Sequence, residues 1–260
     1  MHPYSIESTY DVDSIANTAL NYDIIVNTGS GFIPEGARAF MDGLARRVNP
    51  GSPVPWILHV SGCTNLADRP ITEQAGVGRK FDDADPENVF DTIKSEDERD
   101  PYAQRTTEVA VLTRAEETGV QAVNLTTPCI FGEGTGLFNR AGIVVPLAVR
   151  YVAQHGHGYK LNETSDFDWV HVLDLADLYV LIVRAILERE DCGVGYIPSG
   201  KKGIIFPAVA RVLNLEILQL ALDAAFKAGV LSREDPPKKK RFGRNHCKRL
   251  PMSCAPDRRQ

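Results

Sequence analysis

The chain lacks any apolar run approaching the roughly 18 residues of a membrane span. Its most hydrophobic stretch, residues 173–187, is interrupted by Asp174, Asp177 and Arg184. No charged-then-apolar leader opens it, which argues against a secretory signal. Cysteine is sparse. The five residues Cys63, Cys129, Cys192, Cys247 and Cys254 are odd in number and scattered, with neither a disulfide framework nor metal-ligand spacing. A reduced, cytoplasmic protein without a bound metal is therefore expected. A strong excess of one charge is lacking too. The formal charge of -5 is modest, and nucleic acid is not expected as the main partner. Asn124-Leu125-Thr126 and Asn162-Glu163-Thr164 match the glycosylation sequon, but without a secretory signal both read as chance.

What is present is the composition of a soluble globular protein, 43% hydrophobic and 24% charged over 260 residues, enough for one sizeable core or one core with a small lobe. One stretch departs from it. Residues 236–260 combine Lys238, Lys239, Lys240, Arg241, Arg244, Lys248, Arg249, Arg258 and Arg259 with four prolines. Without apolar periodicity this reads as a basic disordered tail, with nuclear localisation or polyanion binding as its functional alternative.

Residues 22–27 form a short β-branched run followed by Thr28-Gly29-Ser30-Gly31, the pattern of a buried strand ending in a tight loop. Residues 34–47 carry apolar positions at helical spacing. A second strand covers 56–60, and Val120 to Leu125 another, with an amphipathic helix at 102–118 between them ended by Gly119. The acidic segment 79–100 reads as a solvated surface excursion. Further helices are expected at 144–154, 174–188 and 206–231, with a brief strand at 168–172. Continuous apolar strands alternating with helices imply a parallel sheet covered on both faces.

In such a sheet the ligand site lies outside the carboxyl ends of the strands. Asn27-Thr28-Gly29, Ser61-Gly62 and Thr127-Pro128 all lie at such ends, and Tyr102 opens the helix that follows one of them. A serine and a tyrosine converging on one oxygen can move an alcohol proton without a metal. His155 and His157 flank Gly156 and read as a helix C-terminus, where glycine permits left-handed geometry. Cys129 reads as a packed thiol, and His171 with Asp174 as residues that orient a late loop.

These ordered features resemble the extended short-chain dehydrogenase/reductase family, particularly atypical epimerase/dehydratase-like members of fungal type. The resemblance spans roughly residues 22–206. It rests on the strand ending at Asn27, on Ser61, Tyr102 and Pro128-Cys129-Ile130-Phe131-Gly132, and above all on Asp168-Trp169-Val170-His171-Val172-Leu173-Asp174-Leu175-Ala176-Asp177. It implies a Rossmann-like doubly wound parallel sheet over residues 1–235, with a small C-terminal substrate lobe. It also implies NAD or NADP as cofactor and a small-molecule substrate bearing a hydroxyl or carbonyl. Ser61 would orient the substrate hydroxyl and Tyr102 would act as acid/base, while Thr28, Gly29, Pro128, Cys129 and Ile130 would line the cofactor.

Two departures bear on activity. The family's lysine, four residues after the tyrosine, is Thr106 here, and Arg105 is the nearby cation that takes a catalytic role in this reading. The family's opening strand, Gly-rich turn and helix, which hold the cofactor's pyrophosphate, have no counterpart before Tyr22. The sheet is accordingly expected to be truncated at its N-terminal side, with weakened cofactor binding. A homo-oligomer covering the open edge is the alternative. The expected function is an NAD(P)-dependent oxidoreductase or epimerase-like protein with impaired turnover, or else a non-catalytic NAD(P)-binding scaffold.

Overall fold

The computed structural model describes residues 11–67, 79–160, 165–188, 197–232 and 240–241. The chain divides into two compact units, the larger comprising the described residues of 1–68, 76–142 and 168–210 and the smaller those of 69–75, 143–167 and 211–260. In chain order the elements are α1 (Val12–Ala19), β1 (Ile24–Asn27), α2 (Pro34–Ala45), β2 (Trp56–Gly62), α3 (Pro86–Arg99), α4 (Ala103–Thr118), β3 (Gln121–Thr127), β4 (Cys129–Phe131), α5 (Val144–His155), β5 (Tyr159–Lys160), β6 (Asp166–His171), α6 (Val172–Glu188), β7 (Ile204–Ile205), β8 (Ala210–Leu213) and α7 (Asn214–Lys227).

The larger unit is built on a parallel sheet of strand order β1-β2-β3-β7. The strands are short and begin with apolar runs, and the two central ones are buried on both faces. Side chains alternate along each strand. Ile57 and Ala122 face a layer that includes Ala19, Met41, Leu44, Phe90, Ile93 and Leu112, from α1 to α4. Trp56, Leu58, Val123 and Leu125 face Leu175, Ile182 and Ile186 of α6. The fold is thus α/β with a doubly wound, Rossmann-like parallel sheet. β4 lies beside β6 in parallel register, pairing Cys129 with Trp169 and Phe131 with His171.

In the smaller unit α5 and α7 bury Ala148, Val152, Leu218, Ala221, Leu222 and Ala225 against one another. α5 ends at Gly156 with φ 69°, and His155 and His157 stack about the Tyr151 ring. That is the helix C-terminus expected from the sequence. Among the described residues no group of three His, Cys, Asp or Glu could hold a metal ion, and no helix is long and apolar enough to cross a membrane.

Two expectations are corrected. The acidic segment folds into the helix α3, whose Val89, Phe90 and Ile93 enter the core while Glu87, Asp91 and Glu98 stay in water. The helix expected at 206–231 is shorter, because residues 210–213 extend as β8 before it starts. An additional helix, α1, precedes the first strand. Of the basic tail, only Lys240–Arg241 is described, as a short strand beside β5; the rest lies outside the described residues.

α1 and α2 approach closely at Gly43, where a Cβ would stand 2.3 Å from the Ala16 carbonyl oxygen and 2.6 Å from the Ala19 methyl. In a free helix Gly→Ala gains about 1 kcal/mol. Here the helices must separate, so Gly43→Ala is expected to destabilise by about 2 kcal/mol, read as a lower urea midpoint with unchanged m-value.

Candidate active site

On the α1–α4 face the sheet changes character towards its carboxyl end. The row Ile25, Ile57, Ala122 is apolar; the next row is Asn27, His59, Asn124, and the next Ser61, Thr126. All five polar residues are buried. Asn27 accepts from the backbone N–H and the hydroxyl of Ser30 (3.2 and 2.8 Å) through its Oδ1, so its amide nitrogen is the atom facing His59 Nδ1 at 2.9 Å. Nδ1 must therefore accept, which places the ring hydrogen on Nε2. Burial pushes the His59 pKa down to about 4, and the ring is neutral at pH 7.

The last row meets a carboxylate from α4. Glu108 is fully buried and accepts from four side chains: the Ser61 hydroxyl at 2.6 Å, the Asn65 amide, the Asn124 amide at 2.7 Å and the Thr126 hydroxyl at 3.2 Å. Asn65 also donates to Ser61 Oγ at 2.9 Å. Burial raises the Glu108 pKa, while the bonds from Ser61, Asn65 and Thr126 oppose that rise. Ser61 is thus placed at the expected strand end, but its hydroxyl hydrogen goes to Glu108 and it is only 1% exposed.

The tyrosine lies above this layer. Tyr102 is the N-cap residue of α4, its backbone N–H donating to Asp97 at 3.0 Å. Its hydroxyl is 3.5 Å from the hydroxyl of Thr64, which donates to Gln104 Oε1 at 2.5 Å. Its ring meets Phe32 edge-on, 5.9 Å between centroids, linking the loop after β1 to the loop after β2. The structure therefore brings Tyr102 to Thr64, and Ser61 to Glu108. Thr64, three residues past Ser61, escaped the sequence reading because it lies beyond the strand; its only signal was a hydroxyl in the same strand-end loop. Glu108 had a clearer one, a carboxylate in register with the buried Val111, Leu112 and Ala115 on α4.

Arg105 is 2% exposed. Its Nη atoms donate to the carbonyls of Asn65 at 3.3 Å and Asp100 at 2.7 Å, and its guanidinium carbon lies 5.6 Å from the Tyr102 ring centre. Thr106, at the lysine position, donates to Asp97 at 3.0 Å. Of the other candidates, Thr28 and Gly29 are exposed in the loop that Asn27 turns, Pro128 is buried, and Cys129 and Ile130 are half-buried in β4. His171 packs edge-on against Phe131 and against Gly132, where a Cβ would lie 2.1 Å from its Nε2, so it shapes the late loop as expected.

A doubly wound parallel sheet with three loops at its carboxyl ends defines the class of Rossmann-like folds. Residues 74–195 match the model of the NAD dependent epimerase/dehydratase family. Three solved structures share the fold. The UDP-glucuronic acid 4-epimerase of Bacillus cereus, in complex with UDP-glucuronic acid and NAD, is 11% identical at a TM-score of 0.54, with 91% of this chain and 67% of that one covered. WbmH of Bordetella bronchiseptica, in complex with NAD+, is 17% identical at 0.53, covering 94% and 72%. DesIV, a dTDP-glucose 4,6-dehydratase of Streptomyces venezuelae solved as a double mutant with NAD bound, is 13% identical at 0.52, covering 92% and 67%. The chain thus spans about two thirds of the length of these proteins. A sequence search of curated proteins finds no match.

Two consequences of the buried layer can be measured. His59 is held neutral with a folded pKa of about 4 against about 6.5 when unfolded. Unfolding therefore takes up a proton between these values, and the stabilisation is complete above pH 6.5 and lost as pH falls to 4. Wild type should lose about 3 kcal/mol more than His59→Gln between pH 7 and pH 4, as read by urea unfolding at each pH. Glu108 has the opposite sign. Its raised folded pKa makes unfolding release a proton above about pH 4.3, so its contribution falls as pH rises through the folded value. Glu108→Ala, which leaves four donors without their acceptor, should cost on the order of 3 kcal/mol at pH 7 and should abolish that component of the pH dependence.

Proposed function

We propose that this chain is an NAD-dependent oxidoreductase of the epimerase/dehydratase type, acting on a small molecule that bears a hydroxyl or carbonyl group. The observation that supports it is the Tyr102 hydroxyl standing beside the Thr64 hydroxyl at the carboxyl end of the sheet. Tyr102 would exchange a proton with the substrate oxygen while Thr64 orients that oxygen. Ser61 serves through the Glu108 layer that positions the Thr64 turn, and Arg105 holds the carbonyl of Asn65 in that turn.

NAD, when bound, would supply the hydride acceptor and donor. Thr28 and Gly29 form an exposed loop in which a Cβ on Gly29 would meet nothing within 4 Å, and this loop, with Pro128, Cys129 and Ile130 after β3, would line the cofactor. The nucleotide sugars in the related structures make sugar nucleotides the first substrate class to test.

A second reading, a non-catalytic NAD(P)-binding scaffold, is favoured by the surroundings of the tyrosine. The Thr106 hydroxyl is turned to Asp97, and the Arg105 Nη donors go to backbone carbonyls. A neutral residue at the lysine position supplies no positive field to make tyrosinate accessible.

Calorimetric titration with NAD+, NADH and NADPH, followed by turnover of a panel of sugar nucleotides and carbonyl compounds, separates the two. The leading reading expects NAD binding with turnover that falls by about 100-fold or more in Tyr102→Phe with cofactor affinity retained. Binding without turnover in wild type selects the scaffold, and no binding at millimolar concentration removes both.

A further inference from the structure

Cys63 and Cys129 lie just beyond the ends of two neighbouring strands. The last registered pair of β2 and β3 is Gly62 with Thr127. Cys63 follows Gly62 directly and opens the short turn Cys63–Asn65; Cys129 is two residues beyond Thr127 and opens β4. The strand ends are held at this point, since the Thr127 hydroxyl donates to the Ser61 carbonyl at 2.7 Å. Cys129 lies one residue past the position opposite Cys63; with strands about 4.8 Å apart and a rise of about 3.3 Å per residue this sets the two Cα atoms about 6 Å apart, within the separation that a disulfide spans. Both thiols are free and half-buried. Asp168, which precedes Trp169, the β6 partner of Cys129, completes the group.

From this geometry we infer that Cys63 and Cys129 are a vicinal thiol pair that a small-molecule disulfide oxidises to an intramolecular disulfide. The bond would staple the turn that carries Thr64 and Asn65 to the start of β4. In the first step one protein thiolate attacks the small disulfide and expels one thiolate. In the second, the other protein thiolate attacks the protein sulfur of the mixed disulfide and expels the second. Two protein thiols together lose two protons and two electrons, and the reagent is reduced to two thiols.

The two thiols are also close enough to act on one another electrostatically. Burial first, and then the neighbouring Cys63 and Asp168, push the Cys129 thiol up to about 11. Cys63 is raised by burial and by Asp168. Each thiol is therefore protonated at neutral pH, and oxidation is expected to be slow there and to accelerate as pH rises, because the thiolate is the nucleophile. The inference does not depend on the proposed cofactor or activity.

The test uses the full chain with Cys192, Cys247 and Cys254 replaced by serine, checked for an unchanged far-UV spectrum. It is incubated with oxidised glutathione from pH 7 to pH 9.5, alkylated and mapped by mass spectrometry, and treated in parallel with dibromobimane, which fluoresces only when two adjacent thiols are bridged. The expected result is a Cys63–Cys129 cross-linked peptide whose yield rises several-fold with pH, and bimane fluorescence that is lost in Cys63→Ser and in Cys129→Ser. If both cysteines are recovered as separate glutathione adducts or alkylated thiols, and the bimane signal is independent of them, the pair does not exist.

Discussion

The buried Glu108 carboxylate is the constraint on which the rest of the site depends. Taking a carboxylate out of water costs several kcal/mol unless its lone pairs are met, and here four donors meet them. These donors come from the end of β2, the turn after it, and β3. One side chain from α4 thereby fixes three separate backbone segments. None of Ser61, Asn65, Asn124 and Thr126 can become apolar without leaving part of that carboxylate bare. The position of Tyr102 at the first turn of the same helix follows from this, and so does the turn that holds Thr64 next to it.

The row beneath works by similar logic with a neutral centre. Asn27 spends its oxygen on the Ser30 backbone and hydroxyl and its nitrogen on His59. The same residue therefore turns the loop that bears Thr28 and Gly29 and fixes the tautomer of the buried ring. A charged imidazole could not occupy that place, because its Nδ1 would then carry a hydrogen pointed at an amide donor. The polar half of the sheet face thus couples the loop after β1 to the loop after β2, through bonds that run across the strands rather than along them.

The strands and their order in the chain were legible because each central strand is a continuous apolar run, which only a two-sided burial explains. The helices α2, α4, α5 and α6 were legible from their spacing, and α4 and α5 also from the glycines that stop them. α3 was not, since its many carboxylates outweigh the three apolar side chains that anchor it in any composition-based reading. The segment before α7 was misread because Val209 and Val212 continue the helical spacing of the residues after them. Within the site, the sequence located Ser61 and Tyr102 at neighbouring places in the fold. What it could not show is which hydroxyl each one meets, since a turn of only three residues carries Thr64 to Tyr102 and leaves Ser61 beneath.

That division between a buried and an exposed hydroxyl also narrows what the departures from the family pattern mean. A lysine four residues after Tyr102 would begin on the helix side where Thr106 now bonds Asp97, and Asp97 already holds the Tyr102 backbone N–H. The carboxylate of Asp97 therefore acts on the start of α4 as a structural anchor, with the Arg105 guanidinium 3.9 Å away as its ion-pair partner. Arg105 cannot serve both as this buried strut and as a mobile cation at the tyrosine hydroxyl, because leaving its pocket would strip the carbonyls of Asn65 and Asp100 of their donors. Thr106 and Arg105 therefore both brace the start of α4 and the turn after β2, through Asp97 and the carbonyls of Asn65 and Asp100.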